Sequence, residues 1–174
     1  MGQSGKMLHT LIAVAVLGPR GRIYHAPDPT QKAAAESAYA EAIARECRET
    51  FLAGETPEKL TGGTCYAYGL NQWGKLFTNR QLTALSTFSD LVHEARTKIE
   101  TDALAAGKSV DQLSLRDGGQ GAKSYAEAVS VYLGFAADRA ADAWSAQVSW
   151  RNSVEASRST FARQAFPMIC KRPV

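Results

Sequence analysis

The spacing of apolar residues predicts a long helix in the middle of the chain. Leu85, Val92 and Ile99 recur at intervals that place them on one face of a helix. Gly107 follows the run, as glycine often does after the last turn of a helix. We therefore expect a helix over residues 79–105 with one apolar face.

Two further runs have helical spacing. The first covers residues 122–150, and the second covers residues 154–165 and ends before Pro167. The inner face predicted for the first run consists of Tyr125, Val129, Tyr132, Leu133, Ala136, Ala140, Ala143, Trp144 and Val148. Alanines between large side chains allow two helices to approach each other closely. We therefore expect the helices over residues 79–105 and 122–150 to pack antiparallel.

The N-terminal part begins with a different pattern. Residues 8–17 are apolar and β-branched, residues 18–21 read Gly-Pro-Arg-Gly, and residues 22–25 favour a returning strand. Asp28-Pro29 then opens a helix over residues 30–51. Its predicted inner face is Ala35, Tyr39, Ala42, Ile43 and Cys47.

These elements predict a mainly α chain with antiparallel long-helix packing and a small N-terminal β-hairpin, an α+β arrangement. Its length of 174 residues suits one domain. Within it, residues 1–27 form a lead-in and the hairpin, and residues 28–174 form the helical region. An isolated two-stranded hairpin is marginally stable, so we expect it to pack against another part of the protein.

The segment from Tyr68 to Leu85 combines glycines, aromatics and cations before a capped helix. Thr78 and Gln81 have the spacing of a capping box. One interpretation is a hydrophobic plug over the helix start, made by Trp73, Leu76 and Phe77. The other interpretation is a ligand site at the positive end of the helix, made by Lys75, Arg80 and Gln81.

The composition adds a small excess of positive charge. Hydrophobic residues make up 45% and charged residues 21%, which is typical of a soluble globular protein, and the net charge is +3. Residues 151–174 hold five cations and one anion, which indicates either a solvated surface or phosphate contacts. The candidate DNA contacts are Trp73, Lys75, Arg80, Gln81, Arg151, Arg163 and Gln164, since cations bind phosphate and aromatics stack on bases.

The cysteines give no sign of a metal or disulfide site. Cys47, Cys65 and Cys170 are odd in number and form no CxxC pair, so we expect neither zinc nor a disulfide framework. A reducing, cytoplasmic location fits this pattern. The apolar run at residues 11–17 is far shorter than the roughly 20 residues of a membrane helix, so we expect no membrane partner.

Other candidate chemistry is weak. Residues 117–121, Asp-Gly-Gly-Gln-Gly, are either a phosphate or cofactor loop or a flexible linker. The absence of a preceding hydrophobic strand favours the linker. His93 lacks the second histidine of a zinc-binding HExxH motif, and Asp138 and Asp142 favour a solvated helix surface. We therefore predict no catalytic, cofactor-binding or metal residue in this chain.

Three segments, in order and spacing, resemble the middle region of large adenine-specific DNA methylases. The methylases in question carry a zinc-ribbon segment and an N-terminal domain of unknown function. The segments are residues 68–96, 125–142 and 160–169, and residues 21–27, Gly-Arg-Ile-Tyr-His-Ala-Pro, resemble the stretch after the ribbon. The resemblance implies that S-adenosylmethionine is the parent's cofactor. In such enzymes the cofactor motif lies upstream of this region and the catalytic Asp-Pro-Pro-Tyr lies downstream.

The chain departs from that family in three places. Its Asp28-Pro29 is followed by Thr30, so it lacks the aromatic wall that Asp-Pro-Pro-Tyr gives a flipped adenine. The ribbon cysteines are missing. After Ile169 the family continues Trp-Asp-Phe, whereas this chain has Cys170-Lys-Arg-Pro-Val, which leads us to expect a truncation, a frameshift or a gene fragment.

Two functions follow as hypotheses. The first is a non-catalytic helical segment of a DNA adenine methyltransferase that assists DNA binding, with the remainder of the methyltransferase polypeptide as its partner. The alternative is a free-standing helical module that binds protein or DNA without enzymatic activity. Exposed apolar surface distinguishes them, because an excised segment leaves its former docking face bare.

Overall fold

The computed structural model describes residues 9–58 and 65–161. The described part is mainly α with a small N-terminal β-hairpin, as predicted. Its helices are α1 (Pro29–Ala35), α2 (Ala38–Thr50), α3 (Asn79–Ala105) and α4 (Ala122–Ala143). Its strands are β1 (Val14–Gly18), β2 (Gly21–His25), β3 (Trp150–Arg151) and β4 (Ala156–Ser157). Three short 3₁₀ turns lie at Tyr66–Tyr68, Trp73–Leu76 and Leu115–Asp117.

The chain divides into two compact units. The first comprises Met1–Thr83 and Trp144–Val174, and the second comprises Ala84–Ala143. The boundary that the sequence suggests at residue 28 stays a prediction.

In the first unit, β1 and β2 form the predicted antiparallel hairpin. Gly18 pairs with Gly21 across the Pro19-Arg20 tip, and Gly21 has a φ of 128°, a conformation that favours glycine. The first strand begins at Val14, later than the predicted residue 8, which lies outside the described residues.

A second small hairpin replaces the predicted fourth helix over residues 154–161. Trp150 pairs with Ser157 and Arg151 with Ala156, and the Arg158 N–H donates to the Ser149 carbonyl at 2.8 Å. Glu155 turns the chain with a φ of 45°, which a right-handed helix does not allow. The prediction is wrong there because pairing across the turn overrides the helical spacing of the apolar residues.

The predicted first helix is two helices. Asp28 and Gln31 form a capping box with Pro29 at the first position of α1, which confirms the predicted start. The chain then breaks, and the Ser37 hydroxyl caps α2 by accepting from the Ala40 N–H at 3.2 Å.

The break changes which face of α2 is buried. The buried residues of α2 are Ala40, Ala44 and Cys47. Of the predicted face, Cys47 is buried and Ile43 is half-buried, whereas Tyr39 and Ala42 are exposed. A new helix begins after the cap at Ser37, so the residues of α2 point in different directions from those of the single continuous helix that the sequence suggested.

The central helix, α3, has the predicted bounds. The Thr78 N–H donates to the Gln81 side chain at 2.9 Å, and the Gln81 N–H donates to the Thr78 hydroxyl at 3.4 Å, which confirms the capping box. At the other end, the N–H groups of Gly107 and Lys108 donate to the Leu104 and Ala103 carbonyls, which is a Schellman motif. Gly107 supplies the left-handed conformation with a φ of 88°.

The next helix, α4, ends at Ala143, earlier than the predicted residue 150. It ends because the Ala146 N–H donates to the Leu76 carbonyl at 2.7 Å instead of continuing the helix. Four residues of the predicted inner face are instead exposed: Tyr125, Tyr132, Ala136 and Trp144. In the second unit Arg96 of α3 and Glu127 of α4 form an ion pair at 2.6 Å. The predicted antiparallel packing of these two helices along their length stays a prediction.

The connection between α3 and α4 is ordered by its own side chains. The Asp111 carboxylate accepts from the Leu113 N–H at 2.9 Å and from the Gln120 N–H at 3.0 Å. Ser114 caps the 3₁₀ turn that follows it. A Cβ on Gly119 would lie 2.3 Å from the Leu113 carbonyl oxygen, so the loop closes tightly there. The prediction of a flexible linker at residues 117–121 is therefore wrong.

This closure predicts a pH dependence of stability. The N–H groups of Leu113 and Gln120 hold the pKa of Asp111 below its ordinary value. A carboxyl whose pKa is lower in the folded state stabilises the fold above its unfolded pKa, and loses that contribution as pH falls through the folded pKa. Asp111→Asn should therefore lower the midpoint of thermal unfolding at neutral pH, and the difference from wild type should shrink below about pH 3.9.

The matched control is Asp138→Asn, which removes an exposed carboxylate on α4. It should leave the unfolding midpoint nearly unchanged at neutral pH. A difference between wild type and Asp111→Asn that persists undiminished in acid would refute this role for the carboxylate.

Candidate functional site

A cavity of about 1260 Å³ opens beside the first turn of α3, within the first unit. Its wall is mixed in chemistry. The charged side chains that line it are Glu36, Glu41, Arg48, Lys75 and Arg80. The aromatic side chains that line it are Tyr66, Tyr68 and Phe77. A space of this size is far larger than a metal ion needs, and its wall combines aromatic and charged groups.

One wall is the segment that enters α3. Leu76 is 1% exposed and Phe77 is 9% exposed, and the Phe77 ring lies 6.3 Å from that of Phe161, centroid to centroid. Both side chains thus fill the core under the helix start, which confirms the hydrophobic plug for these two residues. Trp73 is half-buried, and its backbone N–H donates to the Gly54 carbonyl at 3.2 Å.

Arg48 of α2 holds this wall in place. Its Nε donates to the Gly74 carbonyl at 3.1 Å, and its Nη2 donates to the Phe77 carbonyl at 3.1 Å. Burial lowers the pKa of Arg48, while its neighbour Cys47 acts in the opposite direction. The guanidinium stays charged, because arginine does not lose its proton in proteins. Hydrogen bonds from a charged donor are stronger than neutral ones, so this contact fixes the entry into α3.

The two predicted cations lie on the cavity wall, and their role in binding a ligand stays a prediction. Lys75 and Arg80 are exposed and line the cavity beside the N-terminus of α3. The Lys75 ammonium donates to the Asn71 side chain at 2.7 Å and retains two further protons for an anion. The N-terminus of a helix adds a partial positive charge.

The other predicted contacts are placed differently. Gln81 lines the cavity, but its side-chain oxygen accepts from the Thr78 N–H in the capping box. Trp73 is not among the cavity-lining residues. Arg151 lies on β3, also away from the cavity, and Arg163 and Gln164 lie outside the described residues.

Sequence reasoning missed two contributions. Arg48 carries no motif, and the only available signal was a cation next to the buried Cys47 on an apolar helix face. Arg22 and Tyr24 alternate along β2 and both contact the Trp150 ring. The sequence pattern did not reveal this contact because it places Trp150 in the predicted helix over residues 122–150.

The glycine-rich loop has little capacity for an anion. Its Gln120 N–H donates to Asp111, and the Gly119 N–H donates to the Ser114 carbonyl at 2.9 Å. The Leu115 N–H donates to the Glu127 carboxylate at 2.6 Å. Amides that would bind a phosphate are thus engaged within the loop and by Glu127, which disfavours the ligand-loop interpretation.

Other site chemistry is limited in the part of the chain that the structure describes. Across residues 9–58 and 65–161, no group of three or more His, Cys, Asp or Glu side chains is arranged to hold a metal ion. Burial raises the pKa of the Cys65 thiol, which disfavours the nucleophilic thiolate. Among the described helices, none has the length and apolarity to cross a membrane.

A double-mutant cycle tests the Arg48 contact. A Cβ on Gly74 would lie 2.6 Å from Arg48 Cγ, so Gly74→Ala should displace that side chain and destabilise the protein by about 1–3 kcal/mol. Arg48→Ala should cost a similar ~1–3 kcal/mol, because it leaves carbonyl groups unsatisfied. The double variant should cost less than the sum of the two, measured by urea unfolding.

The control is Gly134→Ala on α4, where a Cβ meets nothing within 4 Å. It should stabilise the helix by about 0.5–1 kcal/mol. Strictly additive costs for Gly74→Ala and Arg48→Ala would show that the two residues are not coupled.

Comparison with known proteins gives no family for this chain: no protein-family model, no curated protein and no solved structure matches it. The resemblance to adenine-specific DNA methylases stays a prediction from the three segments.

Proposed function

We propose that this chain is a non-catalytic helical segment of an S-adenosylmethionine-dependent DNA adenine methyltransferase, and that it helps to hold DNA. The observation that carries the proposal is the position of Lys75 and Arg80. Both belong to the segment with the strongest resemblance, residues 68–96, and both line the cavity beside the α3 N-terminus.

Electrostatics support a phosphate as the group bound there. Arg48, Lys75 and Arg80 outnumber Glu36 and Glu41 on the cavity wall, and the N-terminus of α3 adds positive potential. Because Arg48 is engaged by two carbonyls, Lys75 and Arg80 are the groups that contact DNA. Contacts of this kind position the duplex and carry no base sequence.

The methyl transfer belongs to the rest of the enzyme in this proposal. The parent moves a methyl group from S-adenosylmethionine to N6 of an adenine rotated out of the duplex. This chain supplies neither the cofactor site nor a catalytic residue, and its partner is the remainder of the methyltransferase polypeptide. Its contribution is to bind the DNA backbone near the target.

An apolar stripe on α4 bears on both candidate functions. Tyr125, Tyr132 and Phe135 are 46%, 74% and 62% exposed, and the rings of Tyr132 and Phe135 meet edge to face at 6.4 Å. Exposed aromatic residues in a row are typical of a protein-binding surface. In the main proposal the stripe docks on the methyltransferase. In the alternative, a free-standing module binds another protein through it and does not bind DNA.

A salt titration with duplex DNA tests the main proposal. The logarithm of affinity should fall linearly with the logarithm of salt concentration, with a slope of about −0.9 per phosphate contact. Lys75→Gln and Arg80→Gln should each reduce the steepness by about 0.9 if each contacts one phosphate. Fluorescence anisotropy of a labelled duplex gives the affinities.

Arg116→Gln is the matched control, because it removes an exposed arginine from the second unit. It should leave the slope unchanged. Slopes that stay the same in Lys75→Gln and Arg80→Gln would exclude both residues from the DNA surface, and an absence of duplex binding would leave the protein-binding alternative.

The apolar stripe makes a separate prediction. The native chain should bind a hydrophobic fluorescent dye, and a variant with both Tyr132→Ser and Phe135→Ser should bind less of it while keeping its unfolding midpoint. Equal dye binding by the variant and wild type would show that the stripe is not the accessible apolar surface.

A further inference from the structure

The two β-hairpins of the first unit bring cations and aromatic rings together. The guanidinium carbon of Arg22 lies 6.0 Å from the centroid of the Trp150 ring, within the range of a cation–π contact. The Tyr24 ring meets Trp150 edge to face at 6.4 Å and 87°. An Arg22 N–H also donates to the Glu155 carbonyl oxygen. These contacts join β2 to the β3–β4 turn and hold the Trp150 ring in a fixed orientation.

The rings remain accessible in this arrangement. Tyr24 is 47% exposed and Trp150 is 42% exposed. An aromatic ring that is held by neighbours and still open to solvent is suited to stacking on a flat partner, because little conformational entropy is lost on binding.

The charge around the rings is strongly positive. Residues 14–25 and 150–158 contain four arginines, and their one acidic residue is Glu155. Arg20 lies at the exposed tip of the β1–β2 turn, and Arg151 and Arg158 lie along the second hairpin. A surface with this balance attracts phosphates over a distance of about one Debye length, roughly 8–10 Å.

From this combination we propose that the paired hairpins bind a single, unpaired nucleic-acid strand. Bases stack on Tyr24 and Trp150, and the exposed Arg20 and Arg151 contact the phosphates between them. Unpaired strands are the form of nucleic acid whose bases are free to stack on exposed rings, whereas a duplex offers its backbone and groove edges. The proposal goes beyond the function proposed above, because it uses different residues and a different form of nucleic acid.

The apolar residues on the same hairpin raise the alternative of a lipid surface. Leu17 is 89% exposed and lies opposite Arg22 in the β1–β2 ladder. Two exposed aromatic rings fixed by a cation favour stacking over insertion, so we retain the nucleic acid and make the lipid an outcome of the test.

The test is the binding of a labelled oligothymidylate, which has no stable duplex form, to the whole chain. Trp150→Ala should weaken binding by about 5- to 150-fold, the loss expected for one stacked base. Trp150→Phe should weaken it much less, because the aromatic face is kept. Binding should also quench tryptophan fluorescence, and the quenching should be smaller in Trp150→Phe.

A second variant keeps the test decisive if Trp150→Ala disturbs the hairpin. Arg20→Gln changes an exposed turn residue and should reduce the steepness of the salt dependence by about 0.7, the value for one phosphate contact on a single strand. Arg116→Gln, in the second unit, should leave single-strand binding and its salt slope unchanged.

The outcomes separate this proposal from the one above. Weaker single-strand binding in Trp150→Ala and a shallower salt dependence in Arg20→Gln, with duplex binding intact, support the hairpin surface. Unchanged single-strand binding in both variants overturns it, even if Lys75 and Arg80 prove to contact duplex DNA. Binding of the chain to anionic phospholipid vesicles, with no binding to the oligothymidylate, also overturns it.

Discussion

The two hydrogen bonds from the Arg48 side chain to the carbonyls of Gly74 and Phe77 are the interaction on which the first unit depends. It joins α2 to the segment that enters α3, and Gly74 lets the Arg48 side chain cross the backbone closely. Two consequences follow from the fixed position of that segment. Leu76 and Phe77 can fill the core, and the Leu76 carbonyl can accept the Ala146 N–H, after which the chain turns into the second hairpin.

The same contact explains how the candidate site divides its cations between structure and binding. The Arg48 guanidinium donates to the carbonyls of Gly74 and Phe77, and it thereby supports the cavity wall from the inside. Lys75 and Arg80 project from that wall and are exposed. Cations that are already positioned on a supported wall lose little conformational freedom when an anion binds, which favours the proposed phosphate contact. In the second unit, by contrast, carboxylates of Asp111 and Glu127 engage the loop amides.

The features that could be predicted from the sequence are those fixed by residues close together along the chain. The capping box of Thr78 and Gln81, the bounds of α3 and the tip of the first hairpin all depend on a few neighbouring residues, and all were predicted correctly. Lys75 and Arg80 stand next to that capping box, and their role as DNA contacts stays a prediction. The errors arise where the structure depends on contacts between residues that are far apart along the chain. The Ala146–Leu76 hydrogen bond ends α4, and the contacts of Arg22 and Tyr24 with Trp150 join the hairpins. Periodicity cannot report such pairings.

The central claim is that DNA contacts the wall that Arg48 supports. Hydrogen–deuterium exchange of the whole chain, with and without duplex DNA, tests it directly. The account predicts slower exchange for the backbone amides of residues 75–82 when DNA is bound, and no change for residues 111–121, whose loop is already closed by Asp111. Protection confined to α4, or no protection of residues 75–82 at DNA concentrations that saturate binding, would contradict the account.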